Sequence, residues 1–177
     1  MAFTAKDVQT LRQMTGCGMM DCKKALTESN GDMDKAVEYL REKGLSAAAK
    51  KADRVAAEGV VYAVADAAKK VGAIIEVNSE TDFVAKNADF NAFVAQCAQI
   101  IMEQNPADVD ALLACKTENG MTVEELLREK ILVIGENLKI RRFVREEGTL
   151  ATYIHAGGKI GVIVKFDVSD GIADKAE

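Results

Sequence analysis

Few residues in this 177-residue chain have the types and spacing that covalent or metal chemistry needs. Its one histidine, His155, stands in a strand-like stretch just before Gly157-Gly158. General-base work requires an orienting partner that the sequence does not name, so a structural histidine with a fixed tautomer is expected. The four cysteines, Cys17, Cys22, Cys97 and Cys115, show no C-x-x-C spacing. Cys17 and Cys22 supply two donors where a zinc site needs about four, which favours free thiols of a reducing compartment. Glu80 and Asp82 could be imagined as paired carboxylates, yet nothing beside them suggests a substrate pocket. No phosphate-cradling glycine loop and no G-x-S-x-G elbow occurs. The expectation is a chain without catalytic side chains, metal or cofactor.

Recognition by apolar contact is better supported. The polar stretch N-S-E-T-D-F-V-A-K-N at 78–87 holds one aromatic, Phe83, beside Asp82. In a continuous helix Phe83, Phe90 and Val94 fall within about 20° of one face, which makes Phe83 the first core position. Lys86 and Asn87 occupy the intervening turn, however, and Thr81 or Asp82 is a plausible cap. Phe83 then sits on a separate short turn facing solvent. Near the N-terminus, Met19, Cys22 and Leu26 share one helical face, whereas Met20 falls with Lys23, Lys24 and Thr27 on the polar side. Large apolar groups outside a core mark interfaces.

The elements that position these residues are punctuated clearly. Thr4 and Asp7 form a capping box, and Phe3 and Val8 a hydrophobic staple, for a first helix that buries Val8, Leu11 and Met14 and stops at Gly16. A second helix runs from about Met19 to Ser29, ending at Asn30-Gly31. Asp32 caps a third, with Met33, Ala36, Val37 and Leu40 as its stripe and Gly44 as its stop. The Ala-rich, charged stretch at 45–58 reads as a helical connector. From Gly59 the period changes to two, giving a hairpin of Val60–Val64 and Val71–Val77 around Asp66–Lys70. A helix with Phe90, Phe93, Val94, Cys97 and Ile101 on one face follows, broken at Asn105-Pro106. Thr122 with Glu125 and Met121 with Leu126 open another helix that ends near Gly135, and 138–145 is a strand with basic residues on its exposed face.

The next segment repeats an earlier one. Tyr62 and Lys70-Val71-Gly72-Ala73-Ile74-Ile75 match Tyr153 and Lys159-Ile160-Gly161-Val162-Ile163-Val164, with a loop two residues shorter. A second hairpin is expected, with its covering helix only beginning by Glu177, so that an apolar face is left bare. A truncated form is the favoured explanation. The expected organisation is a three-helix module at 1–45, a helical linker at 46–58, a first core α+β subdomain at 59–148 and an incomplete second one at 149–177.

Composition reads as an ordinary soluble globular protein: 49% hydrophobic, 29% charged, net charge −5. The acidic balance argues against phosphate-backbone binding, and Lys50-Lys51 and Arg141-Arg142 read as solvated faces. No apolar run nears the ~20 residues that span a bilayer, and no secretory signal is evident, so a cytoplasmic location is expected.

Specific motifs go further. L-R-Q-M-T-G-C-G-M-M-D-C-K-K-A-L at 11–26, A-A-K-K-A-D-R-V-A-A-E-G at 48–59, I-E-V-N-S-E-T-D-F-V-A-K-N at 75–87, I-G-E-N-L-K-I-R-R-F at 134–143 and Y-I-H-A-G-G-K-I-G-V-I-V at 153–164 occur in one order along nearly the whole chain. Together they resemble the bacterial translation elongation factor Ts family. The resemblance implies a ubiquitin-associated-like module of three helices followed by two related antiparallel subdomains. It further implies a guanine nucleotide exchange factor whose partner is elongation factor Tu, in its GDP-bound and nucleotide-free forms, without nucleic acid or membrane. Carried over by position, Thr81, Asp82, Phe83 and Val84 match the motif that inserts beside the partner's Mg²⁺ site and dislodges the ion. Arg12, Met19 and Met20 match the N-terminal contact with its GTPase domain. Two readings from the residues stand beside this one. They are a peptide- or ubiquitin-like-binding module built on the three helices, and an RNA-binding protein using the Lys and Arg pairs.

Overall fold

The computed structural model describes residues 3–167. In chain order the elements are α1 (Ala5–Thr15), α2 (Met19–Glu28), α3 (Met33–Lys51), β1 (Glu58–Asp66), β2 (Val71–Ser79), α4 (Asp82–Ala85), α5 (Ala88–Gln104), α6 (Val109–Ala114), α7 (Val123–Ile134), β3 (Lys139–Glu147), β4 (Thr149–His155) and β5 (Ile160–Phe166). Helices come first and antiparallel strands follow, which makes the fold α+β. The described residues form two compact units: 3–54 with Glu125–Asn137, and Val55–Glu124 with 138–167.

In the first unit the expected capping box opens α1. The Thr4 hydroxyl oxygen accepts from the Asp7 amide at 3.3 Å, and Asp7 Oδ2 accepts from the Thr4 amide at 2.7 Å. The Thr4 amide and hydroxyl, both donating to Asp7 Oδ2, hold the Asp7 carboxyl below its ordinary value. Gly16 ends the helix with φ 67°, and its N–H donates to the Arg12 carbonyl at 2.8 Å. Two side chains depart from the expected stripe. Met14 is 61% exposed, because the helix turns Val8, Leu11 and the half-buried Thr15 inward, and Met14 lies roughly 90° off their mean direction. Met19 is 46% exposed rather than in the core. It is the first residue of α2, where side chains lean back past the helix end, so burial starts at Cys22 and continues through Ala25 and Leu26.

Gly44 does not stop α3. The helix runs through it to Lys51, and the connector expected beyond Gly44 is helical only that far. Gly44 is buried with the Arg128 carbonyl oxygen of α7 3.5 Å from where its Cβ would stand. Glycine costs a helix interior about 1 kcal/mol, and here its bare flank lets a second backbone approach. The unit's core joins Val8, Leu11, Cys22, Leu26, Ala36 and Leu40.

The second unit is built on the sheet β1-β2-β3, all antiparallel, with Tyr62 opposite Ile75 and Ile75 opposite Phe143. One face, with Val71, Ala73, Ile75 and Val77 of β2, is buried on the side where α5 packs. From α5 come Phe90, Phe93, Val94, Cys97 and Ile101, as the periodicity indicates. Asn105 ends α5 at φ 48°. Arg145 sits near that end, its Nε donating to the Met102 carbonyl at 3.2 Å. The exposed Arg141 and Arg142 pair with Glu76 at 3.6 and 2.8 Å, as a solvated strand face would. One short helix escaped the sequence reading, α6 with its Asp108 cap, while α4 is the separate short turn weighed there for Phe83.

The repeated hairpin is present as β4–β5, turning through Ala156, Gly157 and Gly158. It stacks on the second face of the sheet: a Cβ at Gly72 would meet Leu150 Cδ1 at 2.9 Å, and one at Gly161 would meet Ile74 Cδ1 at 3.2 Å. Its outward face carries Tyr153, Ile160, Val162, Val164 and Phe166, all exposed among the described residues. The residues assigned to its next helix lie outside those described.

Candidate functional site

The stretch after β2 decides what Phe83 does. Burial of Val84 and Ala85 pins a single helical turn, α4, against β1 and β2. Its backbone bonds run from the Ala85 amide to the Thr81 carbonyl (3.4 Å), from Lys86 to Phe83 (3.2 Å) and from Asn87 to Val84 (2.9 Å). The turn cannot continue, because Asn87 leaves helical geometry and caps α5 instead. Its Oδ1 accepts from the amides of Asp89 at 2.8 Å and Phe90 at 3.1 Å. Asn91 Nδ2 ties the two helices by donating to the carbonyls of Ala85 (2.9 Å) and Asn87 (2.8 Å). Behind the turn, the buried Ser79 donates its hydroxyl to the Thr81 carbonyl at 3.0 Å.

Phe83 is consequently 80% exposed while Phe90 is fully buried. The reading of Phe83 as a core position fails, and the separate solvent-facing turn is what forms. Of the four motif residues, Val84 points into the unit and anchors it, whereas Phe83 points out. Asp82 lies on the same turn, its Oδ2 2.7 Å from Lys86 Nζ. That hydrogen bond and charge, joined at longer range by Lys159, hold the Asp82 carboxyl below its ordinary value. Lys159 stands at the β4–β5 turn and itself pairs with Glu58. The second set of candidates belongs to the first unit. Arg12 is exposed on α1, and Met19 and the 73% exposed Met20 open α2. Met14 adds a third exposed methionine that the sequence reading had placed in the core.

His155 is exposed, stacks on Tyr153 and shares a 3.0 Å hydrogen bond between its Nδ1 and the Tyr153 hydroxyl. Cys17 and Cys22 are buried, with Cys22 Sγ donating to the Cys17 carbonyl at 3.7 Å. Burial raises both thiols, and pushes Cys97 up to about 12, so all three favour the unreactive protonated form. Among the described residues no three His, Cys, Asp or Glu side chains gather as a metal site requires. No described helix is long and apolar enough to cross a membrane.

The family model described as Elongation factor TS matches residues 80–175, which takes in the Phe83 turn and both strands of the second hairpin. This chain belongs to the elongation factor Ts family. A protein named Elongation factor Ts from Clostridium perfringens is 55% identical over 166 residues, covering 92% of this chain and 55% of that one. Another of the same name, from Trichlorobacter lovleyi, is 51% identical over 182 residues, covering 100% and 57%. The chain thus spans about half the length of these elongation factor Ts relatives.

Proposed function

We propose that this chain acts as a guanine nucleotide exchange factor that binds elongation factor Tu in the cytoplasm and promotes GDP release. The observation that carries the reading is a bulky aromatic held out from a pinned turn, in the motif that the family resemblance assigns to the partner's Mg²⁺ site. A GTPase holds its nucleotide through Mg²⁺ and a phosphate cradle. An exchange factor needs no proton transfer or nucleophile. It has to bind the nucleotide-free partner more tightly than the nucleotide-bound one, and that difference in affinity drives release. Phe83 is the proposed wedge, Asp82 its companion at the ion's shell, and Thr81 and Val84 the residues that fix the turn. Arg12, Met19 and Met20 are the proposed second contact, on the GTPase domain.

Linkage makes the coupling reciprocal, so excess GDP or GTP should eject the factor. Stopped-flow release of a fluorescent GDP from elongation factor Tu, with and without catalytic amounts of this chain, tests the reading. Acceleration supports it. A flat trace together with tight binding by the three-helix segment alone would favour the peptide-binding alternative instead.

A further inference from the structure

Asp82 is the first residue of α4 and Lys86 the residue that ends it. Their 2.7 Å ion pair therefore spans the whole turn from end to end. The first backbone bond of the turn is long at 3.4 Å, and Ser79 and Asn91 brace it from behind through the carbonyls of Thr81 and Ala85. A free helix of four residues is far below the length at which helices persist in water. Burial of Val84 and Ala85 fixes the inner side, but Phe83 projects from the other one.

We infer that Lys86 is a positioning residue for Phe83: its ammonium group clasps the Asp82 carboxylate across α4 and keeps the exposed ring on an ordered turn. The inference rests on the exchange reading for its consequence in GDP release, and on the isolated protein for the clasp itself. Exposed i,i+4 pairs are individually weak, so Lys86 tunes the wedge rather than creating it. The elements packed on α4 also carry carboxylates, Glu58 on β1, Glu76 on β2 and Asp89 on α5. The cations that act on Asp82 are Lys86 and, more remotely, Lys159. With Lys159 engaged by Glu58, Lys86 is the closer counter-charge. Its removal should let the Asp82 carboxyl titrate nearer its ordinary range.

The test compares Lys86→Met, which keeps length without charge, with Lys86→Arg, which keeps charge. On the free protein, NMR titration should show the Asp82 midpoint rising in Lys86→Met and not in Lys86→Arg, with lower order for residues 82–86. In GDP release from elongation factor Tu, Lys86→Met should be about three-fold slower at low salt. Lys86→Arg should restore the rate, and the gap should close at high salt as screening removes the pair from the parent protein too. An unchanged Asp82 midpoint with unchanged order in Lys86→Met would overturn the clasp. So would equal release rates at low salt. Should the parent chain itself fail to accelerate GDP release, the exchange reading falls, and the titration and order measurements still decide the role of Lys86.

Discussion

Phe83 and Phe90 stand seven residues apart, one on α4 and one on α5, and share nearly the same helical phase. One ring is 80% exposed, and the other meets no solvent. Burying a phenylalanine side chain is worth about 1.5–3 kcal/mol, so the chain gives up most of that gain at Phe83 and takes all of it at Phe90. What separates them is Asn87, whose carboxamide takes two amides of α5 and ends the preceding turn. The pair teaches that a periodic pattern assigns a side chain to a core only while the helix carrying the pattern is unbroken.

The contrast can be attacked at each of its parts. Phe90→Ala should cost about 3–5 kcal/mol in chemical denaturation, as expected for a large cavity in a closed core. Asn87→Ala should cost about 1 kcal/mol through the lost cap, and it should blur the boundary between α4 and α5 in amide exchange. Phe83→Ala should leave stability within about 0.5 kcal/mol while slowing GDP release from elongation factor Tu more than any of the other changes. A fall in stability comparable to that of Phe90→Ala would mean the ring is part of the core in solution.

The smallest effect is acidic. The Asp82 carboxyl has a depressed value in the folded chain, so its stabilisation is present above the ordinary aspartate value of about 3.9 and is lost as pH falls through the lower folded one. Amide protection at residues 82–86 should therefore decline below about pH 4, while the amides around Phe90, Val94 and Cys97 stay protected. The caps Asp7 and Asp32 carry the same sign and should loosen the starts of α1 and α3 over the same range.

Much of the architecture was legible because local chemistry agrees with tertiary packing. Thr4 with Asp7, Asp32 before α3, the change of period at Gly59 and the aromatic stripe of α5 each name an element by a local rule, and the structure adds packing on the same residues. Failures occur where a local rule has two physical causes. Gly44 looks like a helix stop, but its lack of a side chain serves a close approach by α7. Met14 and Met19 look like core residues by spacing, yet Met14 falls off the buried stripe of α1 and Met19 opens α2 ahead of its first buried turn. At the candidate site, spacing favoured a buried Phe83. The signal against that reading was already present in Lys86-Asn87, since asparagine before Ala-Asp-Phe is a cap as readily as a helix residue. The clasp between Asp82 and Lys86 has no comparable sign, because exposed i,i+4 charges are common and rarely matter.

The interleaving of the two units bears on how the chain folds during synthesis. The three N-terminal helices leave the ribosome first, but Gly44 meets its neighbour Arg128 only after β1, β2, α4, α5 and α6 have been made. At roughly 5–20 residues per second, α3 waits on the order of several seconds with its glycine flank open to water. β3 likewise joins β2 across an intervening excursion through α4 to α7. Both units thus close through contacts distant in sequence, whose loop-closure cost slows folding relative to a bundle with local contacts alone. A ribosome stall between α3 and α7 would leave the first unit with its hydrophobic helices formed and one wall missing.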